Sequence, residues 1–293
     1  MSSIWVDLLG AQTVYRGNKY RTRVIEAGEG EPLIMIHGIG GHAEAYSRNL
    51  VRLGKVCRAM AIDLIWHGLS SKPKFDARTI PMYAEQVLDL MDAIGAKKAS
   101  IEGESLGGWI AAWMALNYPD RLDKIILNTN AGVVFNEGKV NLRPDEGTNL
   151  LRERSIAAVQ NPEPGTIRKR LEWLMAKPDR VTDELVDVRC TFYSEPDTRK
   201  ALTEVFAAAF TPGSPGQVDR IPEDRLKEIR VPTLVLWSDK NPGAGADVGQ
   251  RTASLIPGSQ YYCINDAAHW PQWEKPEEHD RVVGAFLKGQ RVN

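Results

Sequence analysis

The stretch Gly103-Glu104-Ser105-Leu106-Gly107 decides how this chain is expected to fold. A short segment with strand character, residues 99–102, precedes it, and a helical segment, residues 106–117, follows it. Glycines on both sides of the serine permit a sharp turn, because a side chain at either position would collide with the neighbouring strand or helix. Such a turn lifts the serine hydroxyl above the sheet, beside the N-terminus of the helix. The pentapeptide therefore predicts that Ser105 is a nucleophile.

Strands and helices alternate on both sides of this turn. Apolar segments at residues 33–36, 56–62, 99–102, 122–127, 233–237 and 260–264 are predicted strands. Their alternation with helical segments indicates a mostly parallel sheet covered on both faces, which is the α/β class. Weaker alternation over 13–16 and 20–26 favours a hairpin at a sheet edge.

The alternation stops near residue 132 and resumes near residue 231. The segment between is polar and helical, with several Pro and Gly breaks. Long insertions at loops are tolerated and often form lids. We therefore predict one α/β core, residues 1–132 and 231–293, with a helical lid over residues 133–230. The basic triplet Arg168-Lys169-Arg170 is expected on a solvated face of that lid.

The composition argues against several classes of protein. The 293 residues are 43% apolar, and 37 Lys+Arg against 38 Asp+Glu give a net charge of -1. This balance argues against nucleic-acid binding, which usually needs a clustered basic surface. No apolar run approaches the ~20 residues of a membrane helix, and the N-terminus has no signal-peptide pattern. The three separated cysteines indicate neither a disulfide framework nor a zinc site. We expect a cytoplasmic enzyme that acts on a small molecule without metal or cofactor.

A nucleophilic serine needs a base, and His269 is the best candidate among five histidines. It follows the last predicted strand, as the order of serine, acid and histidine in this architecture requires. The other four histidines are expected to have structural or surface positions.

An oxyanion needs two N–H donors that are already in position. The backbone of Leu106, directly after the nucleophile, is expected to supply one. The turn His37-Gly38-Ile39-Gly40-Gly41, after the first core strand, is expected to supply the other from Ile39.

These features together resemble the α/β-hydrolase superfamily over essentially the whole chain. Within it the chain is similar to the meta-cleavage product hydrolases, serine enzymes that cut C–C bonds in ring-opened aromatic catabolites. The matching segments are Arg48-Asn49, residues 184–189 and His269-Trp270.

The resemblance implies roles for several residues. Arg189 would bind the substrate carboxylate, Trp270 would line the site and Asn49 would take part in substrate binding. For Arg189, a lid salt bridge with Asp187 or Glu184 is the alternative. The resemblance also implies a possible homodimer.

Two residues depart from the family pattern. Glu104 stands where the family commonly has Asn, which alters the charge beside the serine and the contacts available to substrate. Asn241 stands where the superfamily usually has the triad Asp. An Asn can orient an imidazole, but it cannot stabilise the imidazolium as a carboxylate does. We expect Asn241 to occupy the acid position, with Asp239 or Asp247 as alternative carboxylates.

Three functions remain open at this point. The first is hydrolysis of C–C bonds in dienoate ring-fission products by Ser105 and His269. The second is a carboxylesterase or lactonase with the same site. The third is a ligand-binding homologue whose catalysis has weakened.

Overall fold

A central sheet organises the molecule. The structure is a computed structural model and describes residues 3–292. The sheet strands and a separate two-residue pair are β1 (Gln12–Arg16), β2 (Thr22–Ala27), β3 (Pro32–Ile36), β4 (Arg58–Ile62), β5 (Ala99–Glu104), β6 (Leu122–Asn128), β7 (Val133–Val134), β8 (Ile221–Pro222), β9 (Thr233–Ser238) and β10 (Gln260–Ile264). The eight-stranded sheet has the order β1-β2-β4-β3-β5-β6-β9-β10, and β7 pairs with β8.

The central strands of this sheet are parallel and buried. Antiparallel pairing occurs at one edge, between β1 and β2 and between β2 and β4, while the remaining neighbours in the sheet are parallel. Every residue of β5 and β9 is buried. Parallel strands read as continuous apolar runs because helices cover both faces. The predicted α/β class and the edge hairpin are therefore confirmed.

Helices follow most of the strands. They are α1 (Ile4–Asp7), α2 (Ser47–Leu53), α3 (Thr79–Ala93), α4 (Leu106–Asn117), α5 (Leu150–Gln160), α6 (Pro164–Glu172), α7 (Asp183–Ser194), α8 (Pro196–Phe210), α9 (Ala246–Leu255), α10 (Pro271–Glu274) and α11 (Pro276–Leu287). Across residues 3–292, none of these helices combines the length and the apolar character that a bilayer crossing requires.

Four of the helices, α5 to α8, lie between β6 and β9, which are neighbours in the sheet. They pack on one another and contact the core near the first Gly-rich turn. The Tyr193 hydroxyl donates to the Gly40 carbonyl at 3.0 Å, and the Thr198 hydroxyl donates to the Gly68 carbonyl at 3.0 Å. We keep residues 133–230 as the definition of the lid, and its action as a lid remains a proposal.

A buried ion pair connects β5 with the last helix. Nε2 of His279 lies 2.7 Å from Glu102 Oε1, and its Nδ1 lies 2.9 Å from Asp280 Oδ1. Burial by itself would lower the pKa of His279, but the charges and hydrogen bonds of Glu102 and Asp280 raise it to about 10. The folded protein therefore holds a proton that an unfolded histidine releases near pH ~6.5.

This pair predicts a pH-dependent stability. Its contribution is complete below the pKa of the unfolded histidine and is lost as the pH rises toward that of folded His279. Between about pH 7 and pH 9, the free energy of unfolding should fall as the pH rises. The slope should exceed that of His279→Gln by about 1.4 kcal/mol per pH unit. Urea unfolding at several pH values measures both slopes. Equal slopes in the two proteins would contradict the assignment.

Candidate active site

Ser105 occupies a strained turn between β5 and α4. Its backbone angles are φ 54 and ψ -110, a region that a non-glycine residue rarely adopts. A Cβ at Gly103 would overlap the carbonyl carbon of Gly107, and a Cβ at Gly107 would overlap the carbonyl oxygen of Ile36. The backbones of β5, α4 and β3 therefore approach too closely for any side chain at these positions. Strain of this kind is retained where the surrounding packing enforces it, and it is frequent at active sites.

His269 lies next to this turn and is oriented by Asn241. The two atoms His269 Nδ1 and Asn241 Oδ1 are 2.7 Å apart, and both residues are buried. The Asn241 amide nitrogen donates to the Ala244 carbonyl at 2.9 Å, which turns Oδ1 toward the ring. Because Oδ1 can only accept, His269 Nδ1 is the protonated ring nitrogen. Asn241 thus stands at the position expected of the acid.

The two alternative carboxylates have other partners. Asp239 Oδ1 accepts a hydrogen bond from the Ala267 backbone at 3.3 Å, and Asp247 Oδ2 accepts one from the Asn141 backbone at 2.8 Å. Neither is bonded to His269. The structure therefore does not support Asp239 or Asp247 as the group that orients the imidazole.

Glu104 faces the other ring nitrogen of His269. Its Oε1 lies 3.1 Å from His269 Nε2, and its Oε2 accepts a hydrogen bond of 2.7 Å from the Gly38 backbone. The Glu104 side chain is fully buried. Within the described residues, the Ser105 hydroxyl makes no hydrogen bond to His269. A carboxylate thus occupies the place on Nε2 that a serine nucleophile would use.

The predicted oxyanion donors lie on either side of Ser105. Ile39 follows Gly38 in the turn after β3, and Leu106 begins α4. In the part of the chain that the structure describes, neither backbone N–H donates to another protein group. Both N–H groups are therefore available to the oxyanion that forms when Ser105 attacks a carbonyl group. Their role as oxyanion donors remains a proposal.

Two chambers meet at Ser105 and His269. The inner chamber, about 10 Å³, and the outer chamber, about 260 Å³, are both bordered by lid residues. Residues lining only the inner chamber include Gly38, Ile39, Glu104, Arg170, Arg189 and Trp270. Residues lining only the outer one include Val133, Phe135, Leu142, Val248, Arg220 and Asn241. The inner chamber has room for about one water molecule, so a substrate whose carboxylate reaches Arg189 would have to widen it. The middle of such a substrate would then lie beside the serine.

Arg189 is the most unusual residue of the inner chamber. Its side chain is fully buried, yet Nε and Nη2 have no hydrogen-bond partner in the described protein. Its guanidinium lies over the rings of Trp270 and Tyr193, at 5.6 and 5.8 Å. Glu184, one alternative partner, accepts instead from the backbones of Ile4 and Trp5. A buried cation without a carboxylate is costly unless an anion binds there.

Arg170 is a second buried cation, and the prediction that it lies in solvent was wrong. It was expected on a solvated face, but it is 2% exposed and lines the inner chamber. Its Nε donates to the Ser155 hydroxyl at 2.9 Å, while Nη1 has no partner in the described residues. Burial, with Arg189 nearby, lowers the pKa of Arg170 to about 10, so it remains charged at neutral pH.

A sequence signal for Arg170 was present. Ile167, which is buried, lies three residues before it on α6. Residues three to four apart share a helix face, so the spacing already placed Arg170 on the buried face of α6.

Of the remaining predicted contacts, one lies at the site and one does not. Trp270 is 2% exposed and lines the inner chamber. Asn49 is buried elsewhere, where its amide nitrogen donates to the Gln272 carbonyl at 3.0 Å and to Asp280 at 2.8 Å. Asn49 therefore connects α2 with the C-terminal helices, and its position does not support a contact with substrate.

The loop of His269 is tied to the lid, which the sequence did not reveal. Nη1 of Arg180 donates to the Asp266 carbonyl and to Glu274, both at 2.6 Å. The Trp270 backbone donates to the Leu174 carbonyl at 3.1 Å, and the Trp173 ring packs edge-on against His269 at 4.8 Å. These contacts hold the imidazole from the lid side. Across residues 3–292, no group of three or more His, Cys, Asp or Glu side chains is arranged to hold a metal ion.

Comparisons with known proteins show which family this chain resembles. Residues 31–276 match the family model described as alpha/beta hydrolase fold. The chain is 30% identical over 272 residues to 2-hydroxy-6-oxo-6-phenylhexa-2,4-dienoate hydrolase from Comamonas testosteroni, covering 90% of each protein.

Solved structures are similar over nearly the whole chain. A variant of the meta-cleavage product hydrolase CumD from Pseudomonas fluorescens IP01 is 25% identical, with a TM-score of 0.78 and coverage of 96% of this chain and 99% of that one. Est816, described as an N-acyl homoserine lactone degrading enzyme, is also 25% identical, with a TM-score of 0.71 and coverage of 93% and 100%.

The bond between Asn241 and His269 predicts an effect on nucleophile reactivity. Asn241→Ala removes the acceptor that orients the ring, so the rate of Ser105 labelling by a fluorophosphonate should fall about 100-fold, as misplaced catalytic groups typically cause. Asp239→Asn is the matched control and should label at the rate of the unaltered protein. Mass spectrometry of the adduct over time measures these rates. A large loss in Asp239→Asn, with none in Asn241→Ala, would reverse the assignment of the orienting group.

Proposed function

Because the chain belongs to the α/β-hydrolase fold family, and because meta-cleavage product hydrolases are among its relatives, we propose that it is a serine hydrolase of dienoate C–C bonds. The proposed substrate is a ring-opened aromatic catabolite with a carboxylate at one end and a ketone further along the chain. Ser105 and His269 act on the ketone. No cofactor is part of the proposal.

The unpartnered Arg189 guanidinium is the observation on which this assignment rests. An ester or lactone without an acid group gives the inner chamber no reason to contain a buried, unpaired cation. A carboxylate accepts two parallel hydrogen bonds from a guanidinium, and Nε and Nη2 present such a fork. Arg170, on the neighbouring helix α6, gives the chamber a second positive charge. A dienoate in its enolate form carries two negative groups, the carboxylate and the enolate oxygen, which balance these two positive charges.

The proposed reaction begins with the substrate across both chambers. Arg189 holds the carboxylate, and the dienolate becomes a ketone when one of its carbons gains a proton and the enolate electrons form the C=O bond. The Ser105 oxygen then attacks the distant carbonyl carbon while its proton passes to His269 Nε2. The Ile39 and Leu106 amides stabilise the resulting oxyanion.

The second half of the reaction releases two products. When the tetrahedral intermediate collapses, the C–C bond breaks and the leaving carbon takes a proton from His269. The acyl group stays on Ser105 within the outer chamber. Water, deprotonated by His269, then attacks the ester and frees the acid.

The outer chamber suits an apolar acyl group. Val133, Phe135, Leu142 and Val248 contribute apolar walls. With a volume of about 260 Å³, the chamber is large enough for an acyl group of a few carbon atoms up to a single ring. The exact acyl group is set by these walls.

Ester or lactone hydrolysis is the second candidate, and the likeness to Est816 supports it. Both reactions use the same nucleophile and oxyanion donors, so the buried cations are what separates them. The weakened ligand-binding homologue is the third candidate, and it predicts no covalent adduct at Ser105.

We further propose a cytoplasmic location and a homodimer, both from the family resemblance. The three cysteines are unpaired, in keeping with a reducing compartment. Sedimentation velocity of the purified protein tests the oligomeric state.

Substitution of Arg189 separates the two hydrolytic reactions. In Arg189→Gln, kcat/KM for a yellow dienoate should fall about 100-fold, mostly through KM, since one charged hydrogen-bonding pair is lost. Hydrolysis of p-nitrophenyl acetate should change less than about threefold, because that ester has no carboxylate. The loss of dienoate colour and the release of nitrophenolate report the two rates.

Arg168→Gln is the matched control for this test. Arg168 lies on the neighbouring lid helix α6 and contacts Asp183 at the surface. It should leave both activities unchanged. Ester turnover without any loss of dienoate colour in the unaltered protein would refute C–C hydrolysis, and equal losses of both activities in Arg189→Gln would refute the carboxylate contact.

A further inference from the structure

Glu104 and His269 face each other through two atoms that normally accept protons. His269 Nδ1 carries a proton that it donates to Asn241, so Nε2 of a neutral ring would have only a lone pair. An ionised Glu104 Oε1, 3.1 Å away, would have only lone pairs as well. Both side chains are buried, and within the described residues Glu104 Oε1 makes no hydrogen bond, so its approach to Nε2 is a close contact of an unpartnered carboxylate oxygen. Two such acceptors repel each other unless the ring carries a second proton.

We propose that the resting site holds one extra proton on His269 Nε2, so that a Glu104 carboxylate and a His269 imidazolium form a buried ion pair. Glu104 is then a positioning residue that acts through His269. It supplies, at Nε2, the negative charge that Asn241 does not supply at Nδ1. The carboxylate that the family places at the acid position is thus replaced by one beside the nucleophile.

A hydrogen-bond donor and two positive charges lie around the Glu104 side chain. The Gly38 backbone donates to Oε2 at 2.7 Å, and a hydrogen bond to a carboxylate stabilises its charge. On the lid side, the Arg170 and Arg189 guanidinium groups line the same chamber. The buried Tyr46 hydroxyl, which donates to the Ile36 carbonyl, also interacts electrostatically with Glu104.

The other buried carboxylate of β5, Glu102, is already engaged by His279. It lies two residues before Glu104 and bonds His279 Nε2 at 2.7 Å. Glu102 therefore does not compete for the proton of His269.

The proton on His269 Nε2 prevents Ser105 from attacking and is also the proton that the dienolate needs. While it remains on Nε2, His269 cannot take the proton of Ser105, and acyl transfer cannot begin. The blockage ends when the proton leaves. This part of the inference rests on the proposed function, because a dienolate substrate removes the proton by itself.

The transfer balances in protons and charge. The proton moves from His269 Nε2 to a carbon of the dienolate, forming a C–H bond as the enolate electrons form the ketone C=O. The dienolate dianion becomes a keto monoanion, and the pair changes from net zero to one negative charge on Glu104. His269 is then neutral and accepts the Ser105 proton in the next step. A neutral ester has no such carbon, so its hydrolysis must wait for the proton to reach solvent.

Glu104→Gln tests this inference with opposite effects on two substrates. The amide of Gln is nearly isosteric, its oxygen can accept from Gly38, and its nitrogen can donate to a neutral His269. With the charge removed, the acid-side midpoint of the pH profile for p-nitrophenyl acetate should move down by about one unit or more. Near neutral pH, the ratio of ester to dienoate kcat/KM should rise by about tenfold or more.

Asp239→Asn is again the matched control and should leave the midpoint of the ester pH profile in place. Simple damage to the site lowers both activities together and does not move the profile. An unmoved midpoint with parallel losses in Glu104→Gln would therefore overturn the inference.

Nuclear magnetic resonance of the unaltered chain gives a test that needs no active variant. In protein labelled with ¹⁵N-histidine, both ring nitrogens of His269 should carry protons near neutral pH, with the signals assigned through His269→Gln. A ring with an unprotonated Nε2 would overturn the inference. If the protein turns over no dienoate, the proposed function fails, yet the ring signals and the ester profile still decide the state of the Glu104 pair.

Discussion

The close approach of Gly103 to Gly107 is the constraint on which the site depends. It forces the chain from β5 into α4 within a few residues and leaves Ser105 with φ 54. The conformation is tolerated because β3 and β6, on either side of β5, are buried and hydrogen-bonded to it. Because the turn is rigid, the positions of both chambers relative to the Ser105 hydroxyl are also fixed.

The same strand places two carboxylates on one face of the sheet. Glu102 and Glu104 are two residues apart on β5, so their side chains point the same way. Each meets a histidine from the C-terminal part of the chain, His279 or His269. The first pair is sealed in the core and stabilises the fold, whereas the second borders the inner chamber. An identical chemical pair thus has different consequences because substrate can reach only one of them.

The parts of the structure that depend on local patterns were predictable from the sequence. The alternation of apolar and helical segments predicted the sheet, the two glycines predicted the turn at Ser105, and the order of the residues in the chain indicated His269 as the base. Contacts between distant segments were not predictable. The meeting of Glu104 with His269 joins residues 165 positions apart along the chain, and Asn49 proved to face the C-terminal helices rather than the site. Arg170 was missed because a basic triplet usually lies in solvent, although its spacing of three residues from the buried Ile167 indicated burial.

The positions of Asn241 and Glu104 are best understood together, as one negative charge that has moved from one side of an imidazole to the other. A carboxylate at Nδ1 stabilises the imidazolium without touching the nitrogen that serves the nucleophile. A carboxylate at Nε2 stabilises the same imidazolium, but it occupies that nitrogen until the proton is used. The second arrangement is a disadvantage for a simple ester. For a substrate whose first step consumes a proton, it places that proton next to Ser105 and leaves His269 free when the attack begins. The substitution at 241 therefore does not by itself indicate lost catalysis, since the charge it removes is present 3.1 Å from the other side of the ring.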